Sequence, residues 1–203
     1  MSARTLTVVS AGLNSPSSTR LLADRLAQAV VQQSMSDQEV VVVSIELREL
    51  AHAITDNLLT GFPPDRLREA LDAVRNADAL IAVTPIFSAS YSGLFKSFVD
   101  VLDRDALTDK PTLIAATGGS ARHSLALEYA VRPLMSYLRT RTVPTAVFAA
   151  TDDFGSDDAG SSLSSRIAGA AAELLSAMDS YRQKSSVDAF DLTSSFDELL
   201  ARR

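Results

Sequence analysis

The chain has 203 residues, 46% of them hydrophobic, and a mean hydropathy of +0.10. It can bury one sizeable core, yet no run approaches the roughly 20 apolar residues that span a bilayer, and no basic segment with a long apolar stretch opens it, so a cytoplasmic protein is expected. Zero cysteines exclude disulfides and thiol redox chemistry, two isolated histidines suggest no metal cluster, and a net charge of −6 with no Trp argues against a nucleic-acid face.

The first predicted element is a strand, Leu6 to Ser10, whose unbroken apolar character suits a sheet covered on both faces. A polar loop, Ala11 to Thr19, leads into a helix that starts at Ser15-Pro16 or at Thr19 and turns Leu22, Leu26, Ala29 and Val30 to one face. The β-branched run Glu39 to Ile45 is the second strand. From Glu46 to Pro64 the pattern is irregular, and Gly61 and the Pro63-Pro64 pair exclude a long helix. Asp65 to Arg75 is a short helix carrying Leu67, Leu71 and Val74 inward, and Ala79 to Thr84 is the third strand.

A loop, Pro85 to Tyr91, opens a helix bearing Leu94, Phe98, Val101 and Leu102. The fourth strand, Thr112 to Ala116, ends in Thr117-Gly118-Gly119-Ser120. In the next helix, Leu127, Val131, Leu134, Met135 and Leu138 share a face; Pro133 predicts a kink, or two helical pieces, near Arg132. The fifth strand, about Val143 to Ala149, contains Pro144 and is placed at a sheet edge, because proline cannot donate to a ladder. An acidic loop, Asp152 to Gly160, precedes a last helix with Leu163, Ile167, Ala171, Leu174 and Met178 inward. Strands alternating with helices define a doubly wound parallel sheet over residues 1–180. Residues 181–203 read as a tail with a short helix after the capping box Ser195-Phe196-Asp197-Glu198, either frayed or docked on a second subunit through Phe190, Phe196, Leu199 and Leu200.

In such a sheet, ligands bind beyond the carboxyl ends of the strands. That rule selects three loops: Ser10 to Thr19, Thr84 to Tyr91 and Thr117 to Ser120. The first sets Ser10, Ser15, Ser17, Ser18 and Thr19 beside a helix N-terminus, where free N–H groups and the helix dipole favour an anion such as a terminal phosphate. Capping explains one of those hydroxyls and leaves the others. The loop is neither a Walker A sequence nor a Gly-x-Gly-x-x-Gly turn.

The second loop and the helix after it, Thr84-Pro85-Ile86-Phe87-Ser88-Ala89-Ser90-Tyr91-Ser92-Gly93-Leu94-Phe95-Lys96, resemble the signature of the NAD(P)H-dependent FMN reductase family: Thr-Pro, an aromatic-centred loop, a Ser, then Gly-x-Leu-Lys entering a helix. Ile86-Phe87 stands where the family commonly has Glu-Tyr, so the tyrosine hydroxyl is absent. Thr117-Gly118-Gly119-Ser120 with Arg122-His123 is similar to a subgroup thought to supply reduced FMN to luciferase-like monooxygenases. The resemblance runs from Leu6 to about Met178. It implies a flavodoxin-like fold with a five-stranded parallel sheet in the order 2-1-3-4-5, helices on both faces, and a homodimer or homotetramer. It further implies FMN and NADPH or NADH as cofactors. Carried over by position, Ser10, Ser17, Ser18 and Thr19 would hold the FMN phosphate, while Pro85, Ile86, Phe87 and Ser88 would line the ring and ribityl chain. Thr117, Gly118, Gly119 and Ser120 would meet the polar edge, where paired glycines let the backbone come close.

Around this site the residues leave alternatives. His123 is a phosphate or flavin-edge ligand, or a capping residue at a helix start; Arg122 meets the extra phosphate of NADPH, or is solvated. His52 reads as structural. Asp152, Asp153, Asp157 and Asp158 lack the spacing of a cation loop and read as a solvated acidic turn. No catalytic dyad is expected, because the cofactor carries the chemistry of hydride transfer. Two rivals share the fold: a quinone or azo-compound reductase that keeps its FMN, and a non-enzymatic flavodoxin-type carrier, against which the non-aromatic third loop argues.

Overall fold

A computed structural model describes residues 3–34, 39–155 and 157–181, with side chains omitted for 157–161. The proposed tail helix and the residues suggested for docking lie outside them.

Strand β1 (Arg4–Ser10) is flanked by parallel neighbours β2 (Val40–Glu46) and β3 (Ala79–Phe87). Beyond β3 come β4 (Ser90–Tyr91), antiparallel to it, and β5 (Pro111–Gly118), parallel to it; β5 in turn pairs with the short β6 (Arg141–Thr142) and β7 (Val147–Ala150). The sheet therefore has seven strands in the order β2-β1-β3-β5-β6, with β4 on β3 and β7 on β5. This corrects the expected count of five strands; with the hairpin strand β4 set aside and β6 and β7 taken together as one edge, the parallel strands follow the expected order 2-1-3-4-5. Of the expected fifth strand, about Val143 to Ala149, only the end from Val147 is strand (β7); around Pro144, which has no N–H for the ladder, pairing lapses, and a separate short strand, β6, pairs with β5 just before it. The remaining extra strand is the hairpin at the end of β3.

Alternation along the strands divides the core into two layers. On one face, Val8, Ile81, Leu113 and Val147 pack with Leu22, Leu26 and Val30 of helix α1 (Ser18–Gln33), and with Leu163, Ile167 and Leu174 of the final helix. On the other, Val9, Leu80 and Ile114 pack with Ile54 of α2 (Ala51–Thr60), Leu67 and Val74 of α3 (Asp65–Arg75), and Phe95 and Phe98 of α4 (Gly93–Asp100). Each such side chain, fully buried, contributes about 1.5–3 kcal/mol. Helices cover both faces, as expected.

Helix α2 occupies most of the stretch read as irregular. A 3-10 turn, Leu47–Leu50, leads into it, and Gly61 ends it in the left-handed conformation, φ 79°, with its N–H on Asn57 O at 2.8 Å. Only Ile54 and Asn57 of α2 are buried, so its apolar stripe is too narrow to stand out in the sequence. His52 is exposed on it. Near Pro133 the chain makes the two expected pieces: a π-helical turn at Leu127–Val131, then α5 (Arg132–Tyr137) with Pro133 in its first turn. The last helix, α6 (Asp157–Ser180), closes the described fold. No helix among the described residues is long and apolar enough to cross a membrane.

Candidate functional site

Parallel pairing sets the carboxyl ends of β1, β3, β5 and β7 on one edge: Ser10 is level with Val83, Pro85 with Thr117, and Gly118 with Ala150. The three loops picked out by residue type leave from this edge. In the first, the N-cap of α1 is Ser17, in extended conformation, not Ser15 or Thr19; its Oγ accepts the Arg20 N–H at 3.2 Å. The first turn of α1 has no acidic residue to repel an anion. Gly12 lies against this cap. A Cβ there would come within 2.0 Å of Ser17 Oγ and 3.2 Å of Thr19 Cβ, so a side chain at residue 12 would displace the capping hydroxyl. Arg20 is engaged elsewhere: Nε bonds Asp24 at 2.7 Å and a second nitrogen bonds Glu46. The Asp24 hydrogen bond, helped by the charges of Asp24 and Glu46, outweighs burial and raises the Arg20 pKa.

The second loop is a tight hairpin. Ile86 pairs with Tyr91 and Phe87 with Ser90, and the turn residues Ser88 and Ala89 both have positive φ, 49° and 65°. Side chains normally disfavour that conformation, so the turn is strained. It is held by Thr84, whose Oγ1 donates to Pro85 O and accepts the Ser92 N–H, both at 3.0 Å, while Ser92 Oγ caps α4 through the Phe95 N–H at 3.2 Å. Phe87 stands half exposed at the hairpin base.

The third loop leaves β5 at Gly118. A Cβ there would meet the Phe148 ring at 2.9 Å, whereas one on Gly119 would meet nothing within 4 Å. The first and third loops are joined directly, Thr19 Oγ1 to Thr117 Oγ1 at 2.8 Å in a buried hydrogen bond.

Together the loops enclose an open cleft of about 200 Å³. Of the residues singled out in the sequence, Ser17, Ser18 and Thr19 line it from α1, Pro85, Ile86 and Phe87 from β3, and Thr117, Gly118 and Gly119 from β5. Three others do not reach its wall: Ser10 is buried at the end of β1, Ser88 sits at the hairpin turn, and Ser120 precedes the 3-10 turn Ala121–His123. The cleft adds Leu13, Asn14, Pro16 and Thr151, which residue chemistry did not mark. Thr151 follows the end of β7, and only the pairing of β7 with β5 brings it beside Gly118. Among the described residues, no cluster of His, Cys, Asp or Glu is arranged to hold a metal.

Hydroxyls beside an uncompensated helix N-terminus at one end, and apolar side chains with an uncovered glycine at the other, fit a phosphorylated molecule carrying a flat ring. That donor set suits FMN. Residues 5–155 match the family model of the NADPH-dependent FMN reductases. An FMN reductase (NADPH) of Pseudomonas aeruginosa is 38% identical over 146 residues, 72% of this chain and 76% of that protein. An NADH-dependent FMN reductase, SfnE, of Pseudomonas putida is 38% identical over 141 residues, 70% and 74% of the two chains. The crystal structure of an oxidoreductase from Corynebacterium diphtheriae superposes with a TM-score of 0.85 at 50% identity, covering 89% of this chain and 99% of that one.

Fold, cleft and similarity define a flavodoxin-like flavoprotein, and the chain belongs to the NADPH-dependent FMN reductase family. It is an NAD(P)H:FMN oxidoreductase that works with FMN and with NADPH or NADH.

Proposed function

We propose that this enzyme reduces FMN seated in the strand-end cleft at the expense of NAD(P)H and releases the reduced flavin to a flavin-dependent monooxygenase. Bound FMN supplies the two-electron acceptor chemistry. What the chain contributes is position. Ser17, Ser18 and the α1 N-terminus hold the phosphate, Ile86 and Phe87 lie along the ring, and Gly118 and Gly119 admit its polar edge.

The observation that carries this reading is the openness of the ring end. Phe87 is the one aromatic residue lining the cleft among the described residues, and it is 48% exposed. A ring held there has a face left for a nicotinamide, and few contacts retain it. The Thr117 to Ser120 loop, similar to that of reductases thought to serve monooxygenases, supports the same partner.

The test is an NADH and NADPH oxidation assay with and without added FMN, beside the visible spectrum after gel filtration. Release predicts protein recovered nearly colourless and oxidation that saturates with added FMN. Stoichiometric flavin that survives gel filtration, with oxidation indifferent to added FMN and fast toward quinones, would replace release with a quinone or azo-compound reductase.

A further inference from the structure

We propose that Arg122 and His123 form a second anion site, next to the flavin cleft, that takes a phosphate group of the nicotinamide dinucleotide; this rests on the reductase reading and adds to it how the electron donor is held. A separate cleft of about 280 Å³ is lined by Ala89, Arg122, His123, Leu125 and Tyr129, together with Ala126 and Ala130. None of these is acidic. The two clefts share a wall. Gly118 lines the first, and a Cβ on it would be 3.6 Å from His123 Cβ in the second. Phe87 lines the first and Ala89, two residues along the same strained turn, lines the second.

Charge gives the second cleft its ligand class. The chain carries a net −6, and many arginines around the fold are paired with carboxylates, among them Arg66 with Glu49, Arg75 with Asp103, Arg132 with Glu128 and Arg166 with Asp153. Among the described residues, no hydrogen bond or ion pair engages the side chain of Arg122 or of His123, and both are exposed. A guanidinium with nothing to neutralise it, beside an imidazole, matches phosphate oxygens in geometry and charge. Leu125 and Tyr129, 62% and 80% exposed and joined by the Tyr129 N–H to Leu125 O bond at 3.0 Å, add an apolar surface for a flat ring. FMN has one phosphate, and the α1 N-terminus accounts for it. A dinucleotide spanning the shared wall sets one ring in the flavin cleft and a phosphate at Arg122.

The experiment compares wild type, Arg122→Ala, Arg122→Lys and His123→Ala. Steady-state kinetics are run with NADPH and NADH at saturating FMN, with calorimetric titration of NADP⁺ and, separately, of FMN. Arg122→Ala is expected to raise KM for the dinucleotide and the NADP⁺ dissociation constant by about tenfold or more. The loss falls on KM rather than kcat, FMN affinity holds within about twofold, and Arg122→Lys recovers part of the loss. A loss confined to NADPH assigns the 2′-phosphate; an equal loss with NADH assigns the pyrophosphate. Unchanged KM and NADP⁺ affinity would overturn the site, as would a parallel fall in FMN affinity, which gives Arg122 to the flavin. Wild-type protein that binds NADP⁺ through Arg122 yet leaves NADPH unoxidised would keep the site and sink the reductase reading.

Discussion

Thr19 Oγ1 and Thr117 Oγ1 share a buried hydrogen bond of 2.8 Å that ties the start of α1 to the end of β5, 98 residues apart in the chain. The two hydroxyls, on nearly buried side chains, satisfy each other. Removing one leaves its partner unpaired and opens the seam between the phosphate end and the glycine end of the cleft.

Thr19→Val is therefore expected to cost about 1–3 kcal/mol in urea denaturation. Adding Thr117→Val replaces both partners with similar shapes, so the double variant loses less than the sum of the single losses. Additive losses would show that the bond carries no coupling.

At the helix start, Ser17 caps α1 and Ser18 is its first residue. Ser17→Ala costs about 1 kcal/mol of stability through the lost cap, whereas Ser18→Ala leaves stability nearly unchanged. The Ser17→Ala and Ser18→Ala double variant weakens FMN binding by about tenfold or more, roughly 1.4 kcal/mol, read by flavin fluorescence quenching. Gly12→Ala drives a methyl into Ser17 Oγ and loses the cap in another way. In the Ser17→Ala background, where that oxygen is gone, Gly12→Ala is tolerated better than in wild type.

The hairpin turn stores strain at Ala89, φ 65°. An alanine held there costs about 1–2 kcal/mol, and glycine gives back roughly half of that gain through the freedom it adds to the unfolded chain. Ala89→Gly is expected to raise stability by about 0.5 kcal/mol, measured as a higher urea midpoint at unchanged slope. A fall in the midpoint would show that the methyl group packs in the native turn.

At the opposite end of the sheet, Lys110 is 1% exposed and its Nζ donates to Arg75 O at 2.9 Å, the last residue of α3, and to Ala77 O at 2.6 Å just beyond it. Loss of solvation pushes its pKa down to about 8, with the nearby Asp78 charge opposing. The unfolded chain then holds the proton more tightly than the folded one between about pH 8 and 10.5, so this residue's contribution to stability rises with pH across that window. Against Lys110→Met, wild type should gain on the order of 3 kcal/mol from pH 7.5 to 10.5. A difference that stays flat, or falls, would show that the carbonyl pair keeps the ammonium charged.

The alternating strands and helices were legible because each apolar period is strong: β-branched runs at Val40 to Val43, and the Leu22, Leu26 and Val30 face of α1. Helix α2 was less so, since it buries only Ile54 and Asn57. The split of the edge strand was half legible. Pro144 announces an edge, but how many residues flank the break depends on how far Thr112 and Ala115 can pair on either side of it.

The residues by themselves pointed to a phosphate at the strand ends, because hydroxyls ahead of a helix N-terminus suit an anion; the flavin came from the resemblance of the Thr-Pro loop and the glycine pair to a known family. Tertiary structure decided which of those residues meet. It left Ser10, Ser88 and Ser120 off the cleft lining, brought Thr151 to it through β7, bound Arg20 to Asp24 and Glu46, and left Arg122 uncommitted beside a second cleft. Those outcomes depend on strand register and on where each strand ends, and both are settled by packing between segments far apart in the chain.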